Sequence, residues 1–322
     1  MITRRLLAAG FAGLAFAPAG RAQTAWPTRP VRVLVGFPAG GPTDLVARLL
    51  QEPLQRLWNQ PVVVENRPGA SQIIATEAVA RAAPDGYTLL LGASIHATNA
   101  ATHARLPYDT IEDFTFIAVL YGSPTVLLVP QESPLRTLED LIAAARRNPG
   151  MSFATSGNST SGHFATEMFA RALQLEVTHV PFRGAAPALQ EVVSGRIAAT
   201  FSTLSGAMGL VQQGRLRALA VADAQRSPAL PGVPTLAERG IHIPNTSPWY
   251  SFMGPRGMPR EVVERIARDS LMLMRSPAIV ERIEATGGTV IAEGPEEFAL
   301  RIRREVEEAR QMARLIGLAP AG

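Results

Sequence analysis

Short apolar runs alternate with amphipathic segments along most of the chain. The run Val31–Phe37 is rich in β-branched residues and predicts a strand, and the segment Thr43–Trp58 carries leucine and valine at helical spacing. Further strands are predicted at Val62–Val64 and Tyr87–Leu91, with a helix near 72–82 between them. This strand–helix order predicts a parallel sheet with right-handed crossovers.

The order changes after Pro107, where two extended runs follow each other without a helix between them. A second alternation of helices and strands comes next, and a Pro-rich stretch at 227–234 ends it. The predicted elements of this part are the extended runs Phe114–Tyr121 and Pro124–Pro130, helices 137–147, 160–173, 186–194 and 205–213, and strands 151–154, 177–181, 197–201 and 216–221. An extended run at Trp249–Met253 and two helices that open at Pro259 and Pro295 close the chain.

Two alternating regions of this length predict an α/β protein with two lobes. The chain is predicted to cross between the lobes near 120–124 and again near 246–250, so the C-terminal helices complete the first lobe. The expected limits are residues 23–122 plus 249–322 for lobe 1 and residues 123–248 for lobe 2. A single large α/β domain is the alternative that the pattern leaves open.

The first 22 residues are typical of a secretory signal peptide. Arg4 and Arg5 form a positive start, an apolar stretch runs from Leu6 to Ala17, and Gly20 and Ala22 give a small-x-small cleavage pattern. The apolar stretch is too short for a membrane span, which needs about 20 residues. We therefore expect an exported, periplasmic protein cleaved near Ala22. A buried N-terminal helix is the alternative.

The charge and the residue types exclude several classes of function. Removal of residues 1–22 takes away three arginines and no acid, so the 31 basic residues fall to 28 against 27 acidic ones and the net charge falls from +4 to +1. No basic cluster of the kind that binds nucleic acid is present. The chain has no cysteine, and its five histidines show no metal-ligand spacing. We expect no bound metal and no nucleic-acid partner.

The strand-to-helix loops are the places to look for a ligand, because open parallel sheets bind ligands beyond the carboxyl ends of their strands. In the loop 36–44, Gly40 and Gly41 let the backbone approach a ligand closely. Pro42 suits the first helical position, and Asp44 can cap free amides. The N–H groups of a helix start favour an anion such as a carboxylate. A tight turn with a helix cap is the alternative.

Other strand ends carry hydrogen-bonding side chains. Residues 155–163 form the richest loop, with six hydroxyl or amide side chains between a strand and a helix. Such donors suit a carboxylate because charge-assisted hydrogen bonds are stronger than neutral ones. A solvated capping loop is the alternative here. The remaining loops are 92–96 with Ser94 and His96, 180–187 with Arg183, and 201–203 with two hydroxyls.

Seven stretches in a fixed order carry a resemblance to a known family. They are WPTRPVRVLVGFPAGG (26–41), PVVVENRPGA (61–70), APDGYTLLLG (83–92), LPYD (106–109), HVPFRGAAPAL (179–189), GRLRALAV (214–221) and RSPALPGVPTLAERG (226–240). By these stretches the chain resembles the tripartite tricarboxylate transporter substrate-binding family, also called the Bug receptors. The resemblance covers nearly the whole mature chain.

The resemblance implies a type II periplasmic-binding-protein fold with a double crossover hinge and no cofactor. It also implies a ligand held in the interlobe cleft by backbone amides and hydroxyls. Carried over position by position, the implied ligand contacts are Phe37, Ala39, Gly40, Gly41, Thr43, Asp44, Ser94, His96, Ser156, Asn158, Ser159, Thr160, Ser161, Arg183, Gly184, Ala185, Ser202 and Thr203.

The implied function is that of an extracytoplasmic receptor, monomeric, which captures a small carboxylate and delivers it to the membrane components of a tripartite tricarboxylate transporter. The carboxylate could be a dicarboxylate, an aromatic acid or an amino acid. A periplasmic sensor that presents the solute to a membrane signalling protein is the first alternative. A hydrolase is an alternative of another class, but the chain has no Gly-x-Ser-x-Gly elbow, and Ser161 and His163 are too close in sequence to define a triad. We expect no enzyme.

The signal peptide gives the first testable prediction. Expression of the full chain in a Gram-negative host should release a periplasmic protein whose N-terminal residue lies near Gln23, because signal peptidase cuts after the small-x-small pattern. Intact-mass measurement of the periplasmic fraction checks this. Full-length protein that retains Met1 in the cytoplasm would contradict it.

Overall fold

Two separate β-sheets organise the chain in the computed structural model, which describes residues 26–320. The predicted signal peptide and its cleavage site lie outside the described residues. The strands are β1 Val31–Val35, β2 Val62–Asn66, β3 Thr88–Ala93, β4 Phe114–Gly122, β5 Thr125–Pro130, β6 Met151–Thr155, β7 Val177–Pro181, β8 Ala199–Thr203, β9 Leu216–Val221, β10 Trp249–Pro255 and β11 Thr289–Glu293. The α-helices are α1 Pro42–Trp58, α2 Ile73–Ala80, α3 Ile95–Thr102, α4 Leu138–Arg147, α5 Ser161–Leu173, α6 Ala185–Val193, α7 Leu204–Gln212, α8 Arg260–Met274, α9 Pro277–Ala285 and α10 Pro295–Leu315.

Each sheet has a parallel half built from strand–helix–strand units. The first sheet has the order β11-β4-β10-β3-β1-β2, with β1 parallel to β2 and β3, and with β10 antiparallel between β3 and β4. The second sheet has the order β7-β6-β8-β5-β9, with β6 parallel to β7 and β8, and with β5 antiparallel to β8 and β9. The predicted α/β architecture with two lobes is confirmed. In both sheets the helices that follow the parallel strands begin at the same edge of the sheet, as this topology requires.

The chain passes between the sheets twice, along two adjacent segments. The first passage joins β4 to β5, and the second leads into β10. The Ser123 N–H donates to the Pro248 carbonyl at 3.1 Å, and the Thr125 N–H donates to the Ser247 hydroxyl at 3.1 Å. We propose to divide the chain here, with lobe 1 formed by residues 23–122 plus 249–322 and lobe 2 by 123–248. The two passages are therefore hydrogen-bonded side by side.

Three elements were not expected from the sequence. The sequence pattern predicts a loop at 92–96 and no helix after it, because the residues of α3, Ile95–Thr102, are mostly alanine and polar and carry no apolar stripe. Helix α9 and strand β11 lie in a stretch that the pattern left unassigned between the last two predicted helices. Strand β11 pairs with β4 through an irregular register, with Ala292 at a φ of 56°, and irregular edge strands of this kind carry a weak sequence signal.

Each lobe has its own apolar core, and α10 closes the core of lobe 1. Phe298 of α10 is fully buried, with its ring centre 5.1 Å from the ring of Phe116 and 5.1 Å from the ring of Trp249. Edge-on contacts between aromatic rings stabilise a core beyond the apolar area that they bury. The last helix therefore belongs structurally to the N-terminal lobe. Within 26–320, no helix combines the length and apolar character needed to cross a bilayer.

The packing of α10 gives the second prediction. Phe298→Ala should lower the free energy of unfolding by about 3–5 kcal/mol, because it leaves a cavity between two aromatic rings. Leu300→Ala is the matched control on the same helix; Leu300 is 72% exposed, so its removal should change the free energy by less than about 0.5 kcal/mol. Urea denaturation followed by circular dichroism measures both. Equal losses would show that α10 does not close this core.

Candidate functional site

A cavity of about 60 Å³ lies between the two lobes. Both lobes contribute to it: lobe 1 through the β1–α1 loop and strands β3 and β10, lobe 2 through the loops that precede α5, α6 and α7. Its lining residues are Phe37, Pro38, Ala39, Gly41, Pro42, Thr43, Ala93, Ser156, Thr160, Ser161, Gly184, Ala185, Ala186, Pro187, Thr203, Pro248 and Tyr250. None of these side chains carries a charge. The hydrogen-bond donors at the cavity are therefore backbone N–H groups and hydroxyls.

Four helices begin at this cavity. Gly41 and Gly184 are the N-cap residues of α1 and α6, and neither has a side chain that could cap the first turn. Thr160 and Thr203 are the N-caps of α5 and α7. The first N–H groups of a helix lack intrahelical partners, and the helix dipole adds a partial positive charge there. The first two N–H groups of α7 are already bonded to the Pro124 carbonyl and the Ser123 hydroxyl. The starts of α1, α5 and α6 therefore make the cavity electropositive without a charged side chain.

Asp44 holds the first loop in shape and does not line the cavity. One carboxylate oxygen accepts from the Gly40 N–H and from Arg48 Nε, both at 2.9 Å, and the other accepts from Asn66 Nδ2 at 2.9 Å. Burial raises the pKa of the Asp44 carboxyl, but the hydrogen bonds from Arg48, Gly40 and Asn66 outweigh this and hold the pKa below its ordinary value. Asp44 is thus an ionised support for the loop that bears Gly40.

Two stacked tyrosines form the floor on the lobe 1 side. Tyr250 lines the cavity, and its ring stacks on Tyr121 with 4.5 Å between centres and 17° between planes. The Tyr121 hydroxyl donates to the Pro42 carbonyl at 2.9 Å, which fixes the start of α1. Burial raises the pKa of both phenols well above the ordinary value, so both stay neutral donors. The sequence interpretation missed these two residues, because they reach the site from antiparallel strands far from the ligand loops in sequence.

Thr203 brings a hydroxyl from lobe 2. Its Oγ1 is buried at the cavity and makes no hydrogen bond of ordinary length within residues 26–320. An unpaired buried hydroxyl costs free energy unless a partner satisfies it. The Thr203 hydroxyl faces that of Tyr250, and a ligand atom in the cavity would complete the hydrogen bonding of this pair.

The structure brings together ten of the eighteen residues that the resemblance implied. The ten that line the cavity are Phe37, Ala39, Gly41, Thr43, Ser156, Thr160, Ser161, Gly184, Ala185 and Thr203. The other eight, which are outside the lining, are Gly40, Asp44, Ser94, His96, Asn158, Ser159, Arg183 and Ser202. Ser94 lies at a larger hinge-side chamber of about 610 Å³, and Asn158 and Arg183 lie at a chamber of about 580 Å³ at the mouth of the cleft.

His96 is a correction to the sequence interpretation. The stretch expected as a loop at 92–96 is the end of β3 and the start of α3, and the helix turns the imidazole into the core of lobe 1, where it is fully buried. His96 Nε2 hydrogen-bonds the Thr110 carbonyl at 2.8 Å, and the ring stacks on Tyr108 and meets Phe114 edge-on. Burial lowers the pKa of His96 to about 4, so the ring is neutral at neutral pH. It supports α3 and does not face the ligand cavity.

A histidine pair lies behind the richest loop, although the sequence spacing suggested no such cluster. His163 of α5 and His179 of β7 stack with 3.8 Å between ring centres, and Glu167 completes a group whose ligand atoms lie within 4.8 Å. The Ser159 N–H donates to His163 Nδ1 at 3.2 Å, which leaves the proton on Nε2, facing Glu167. Stacked rings also direct their lone pairs side by side rather than to one point. The pair therefore supports the loop and is a poor metal centre.

The depressed pKa values of the histidine pair agree with this supporting role. Burial, together with a smaller effect of the neighbouring His179, lowers the pKa of His163 to about 3. Burial lowers the pKa of His179 to about 4. Both rings are thus neutral at neutral pH, so the stack carries no charge repulsion, and His163 Nδ1 is free to accept from the Ser159 N–H.

Comparison with known proteins identifies the family. A sequence model of the family described as the tripartite tricarboxylate transporter family receptor (TctC) matches residues 46–318. This chain belongs to that family. The resemblance expected from the sequence is confirmed, and with it the class of periplasmic solute-binding receptors. Protein BugT of Bordetella pertussis is 34% identical over 295 residues, which cover 91% of this chain and 90% of BugT.

Solved structures of the same class share the fold. Rpa4515 of R. palustris, solved with adipate, has a TM-score of 0.89 and 34% identity and covers 92% of this chain and 100% of its own. MatC (Rpa3494) of Rhodopseudomonas palustris, solved with bound malate, has a TM-score of 0.83 and 29% identity. The match covers 89% of this chain and 99% of MatC. The periplasmic binding protein BugD has a TM-score of 0.87 and 28% identity, and the match covers 91% of this chain and 99% of BugD. The predicted periplasmic-binding fold is confirmed.

The contact between Gly184 and Pro38 gives the third prediction, because it lies where the two lobes meet. A Cβ on Gly184 would lie 3.2 Å from Pro38 Cδ, and the φ of 121° there is a conformation that side chains avoid. Gly184→Ala should weaken solute binding about tenfold, because a loss of about 1.4 kcal/mol in the free energy of lobe closure corresponds to that factor. Calorimetry with the solute that most raises the melting temperature measures it.

The control for this prediction is Gly195→Ala. Gly195 also has a positive φ, of 74°, but a Cβ there meets no atom within 4 Å. Both variants should lose stability, by about 1–3 kcal/mol, and only Gly184→Ala should lose affinity. Equal affinity of the two variants would show that the lobes do not meet at Gly184 when solute is bound.

Proposed function

We propose that this protein is an exported periplasmic receptor that captures a small carboxylate-bearing solute between its lobes and delivers it to the membrane components of a tripartite tricarboxylate transporter. The observation that carries the proposal is the meeting of three helix starts with free N–H groups, those of α1, α5 and α6, at one uncharged cavity. Uptake is the role, and no catalysis is required of the site.

A carboxylate fits the cavity because its charge is matched by donors rather than by a counter-ion. The N–H groups of Thr43, Ser161 and Ala185 belong to first helical turns, so they lack intrahelical acceptors. Hydrogen bonds from such donors to an anion are worth about 1.5–3 kcal/mol each, roughly twice a neutral bond. The cavity lining contains no acid that would repel the solute.

The relatives narrow the class of solute. The two solved structures named above hold adipate and malate, both of which are dicarboxylates. Transferred to this chain, that suggests a first carboxylate in the small cavity and a second polar end that extends toward one of the adjoining chambers. Ser161 and Pro248 border both the cavity and the hinge-side chamber, while Phe37, Pro38, Ser156 and Gly184 border both the cavity and the mouth chamber.

The receptor mechanism follows from the placement of the donors on both lobes. A solute that bonds α1 in lobe 1 and α5 and α6 in lobe 2 has its full set of partners only when the lobes are together. It therefore shifts the population toward the closed form by its differential affinity for the two forms. The hinge is the pair of passages at 122–125 and 245–249, and the closed surface is what a membrane partner would recognise.

The fourth prediction tests the carboxylate directly. A thermal-shift screen against dicarboxylates, aromatic acids and amino acids should find a solute, because a ligand that binds only the native state raises the melting temperature by mass action. A monoamide of that solute, in which the carboxyl group held in the cavity is replaced by an amide, should then bind at least tenfold more weakly. This factor corresponds to a loss of about 1.4 kcal/mol in binding free energy.

Calorimetry of the solute and its two monoamides measures the difference, and the monoamide at the other end is the internal control. Equal affinities of all three compounds would contradict a carboxylate site.

A further inference from the structure

The two lobes also touch at a seam outside the ligand cavity, between helix α3 of lobe 1 and the β6–α5 loop of lobe 2. The Thr98 hydroxyl donates to the Ser159 carbonyl at 2.6 Å, and the Ser159 hydroxyl meets the Thr102 hydroxyl at 2.6 Å. The Ser71 hydroxyl donates to the Asn158 carbonyl at 3.0 Å. These five residues make three hydrogen bonds between the lobes.

The protons of the seam can be assigned. The Thr102 hydroxyl lies 2.9 Å from the Thr98 carbonyl and donates to it, so Ser159 is the donor in the Ser159–Thr102 contact. The Ser159 N–H donates to His163 Nδ1. All polar groups of Ser159 therefore have partners, and the residue is 2% exposed and held at a φ of 61°. Apart from the bond to His163, the hydrogen bonds of Ser159 are all made to lobe 1.

The lobe 1 side of the seam is fixed before any contact with lobe 2. The Asn99 side chain donates to the Ser71 carbonyl at 2.8 Å, which ties Ser71 to α3. The start of α3 is anchored next to the hinge, where the Ser94 N–H donates to the Trp249 carbonyl at 3.0 Å. Thr102 lies eight residues further along the helix, about 12 Å from that anchor. A hinge opening therefore separates Thr102 from Ser159 while it leaves the anchor in place.

An apolar contact runs alongside the hydrogen bonds. Phe164 of α5, in lobe 2, packs with Ala101 of α3 and with Ala309 and Ala313 of α10, all in lobe 1. Phe164 is 1% exposed in this arrangement. Separation of the lobes would return its ring to water, which disfavours opening.

None of the five seam residues lines the ligand cavity. We propose that Ser71, Thr98 and Thr102 in lobe 1 and Asn158 and Ser159 in lobe 2 form a latch, which holds the lobes together whether or not solute is bound. The latch stabilises the closed form through direct contacts between the lobes, outside the small ligand cavity. The receptor is thus preorganised, and opening of the latch gates the access of solute to the cavity.

The latch also changes how Ser159 is understood. The resemblance implied a ligand contact there, whereas the hydroxyl is committed to Thr102 across the seam. The effect of Ser159 on affinity is indirect. When the binding-competent form of a receptor is less populated, the apparent affinity falls in proportion to its population. The proposal rests on the proposed function only in that the closed cleft is the form that holds solute. The experiments below use no solute, so a failed carboxylate screen would leave them decisive.

A cross-link tests the latch in solute-free protein. The chain has no cysteine, so Thr102→Cys/Ser159→Cys introduces the sole thiols, at two positions whose hydroxyls are 2.6 Å apart. Protein freed of solute by unfolding in urea, dialysis and refolding should form the disulfide nearly completely under mild oxidation. Addition of Thr98→Val should slow the reaction by up to about fivefold, the factor by which loss of one neutral hydrogen bond of ordinary strength lowers the closing equilibrium constant.

The control is Thr166→Val in the same double-cysteine background, because the buried Thr166 hydroxyl bonds only the Gly162 carbonyl of its own helix. It should leave the rate unchanged. A low disulfide yield from the solute-free protein, or equal rates for the Thr98→Val and Thr166→Val variants, would overturn the latch.

Small-angle scattering provides a second test that does not depend on thiol chemistry. Solute-free Thr98→Val/Thr102→Val should have a larger radius of gyration than the solute-free wild type, and Thr166→Val should match the wild type. Circular dichroism confirms that each variant is folded. A folded double variant with the same radius as the wild type would show that these hydroxyls do not hold the lobes together.

Discussion

The first turn of every α-helix leaves backbone N–H groups without partners inside the helix, and the site of this protein is built on that constraint. Helices α1, α5 and α6 present free first-turn N–H groups at one cavity, and the N-cap residues of α1 and α6 are glycines that offer no side-chain cap. Donors left free by the helices face an uncharged space between the lobes. Such a space favours an anion. The fold provides the hydrogen-bond donors for it without a charged side chain.

The division into two sheets places the donors of the site on two separate lobes. Each lobe folds around its own core, and within residues 26–320 the lobes are joined by two adjacent passages bonded to each other near Ser123 and Pro248. Because the donors are split between the lobes, the cavity is complete only in the closed form. The seam between α3 and the Ser159 loop adds contacts that favour closure without a solute. In the proposed latch, residues outside the small ligand cavity contribute to binding strength by stabilising the closed form.

Much of this architecture could be predicted from the sequence, because strand–helix alternation places the ligand loops at one edge of each sheet. The loops at 36–44, 155–163 and 180–187 were found in this way. Helix α3 was missed, since Ile95–Thr102 lacks an apolar stripe, and with it the burial of His96. Tyr250 was missed because β10 inserts antiparallel between β3 and β4, a pairing between segments more than 100 residues apart that local periodicity does not encode.

The central claim is that backbone amides of converging helix starts bind the carboxylate. The most direct measurement is a titration of ¹⁵N-labelled protein with the solute found in the screen, followed by the amide resonances. The N–H groups of Thr43, Ser161, Ala185 and Ala186 should show the largest downfield shifts, because each would exchange a weak acceptor for a carboxylate oxygen. Shifts concentrated instead around the hinge-side chamber, with these four amides unmoved, would contradict the account.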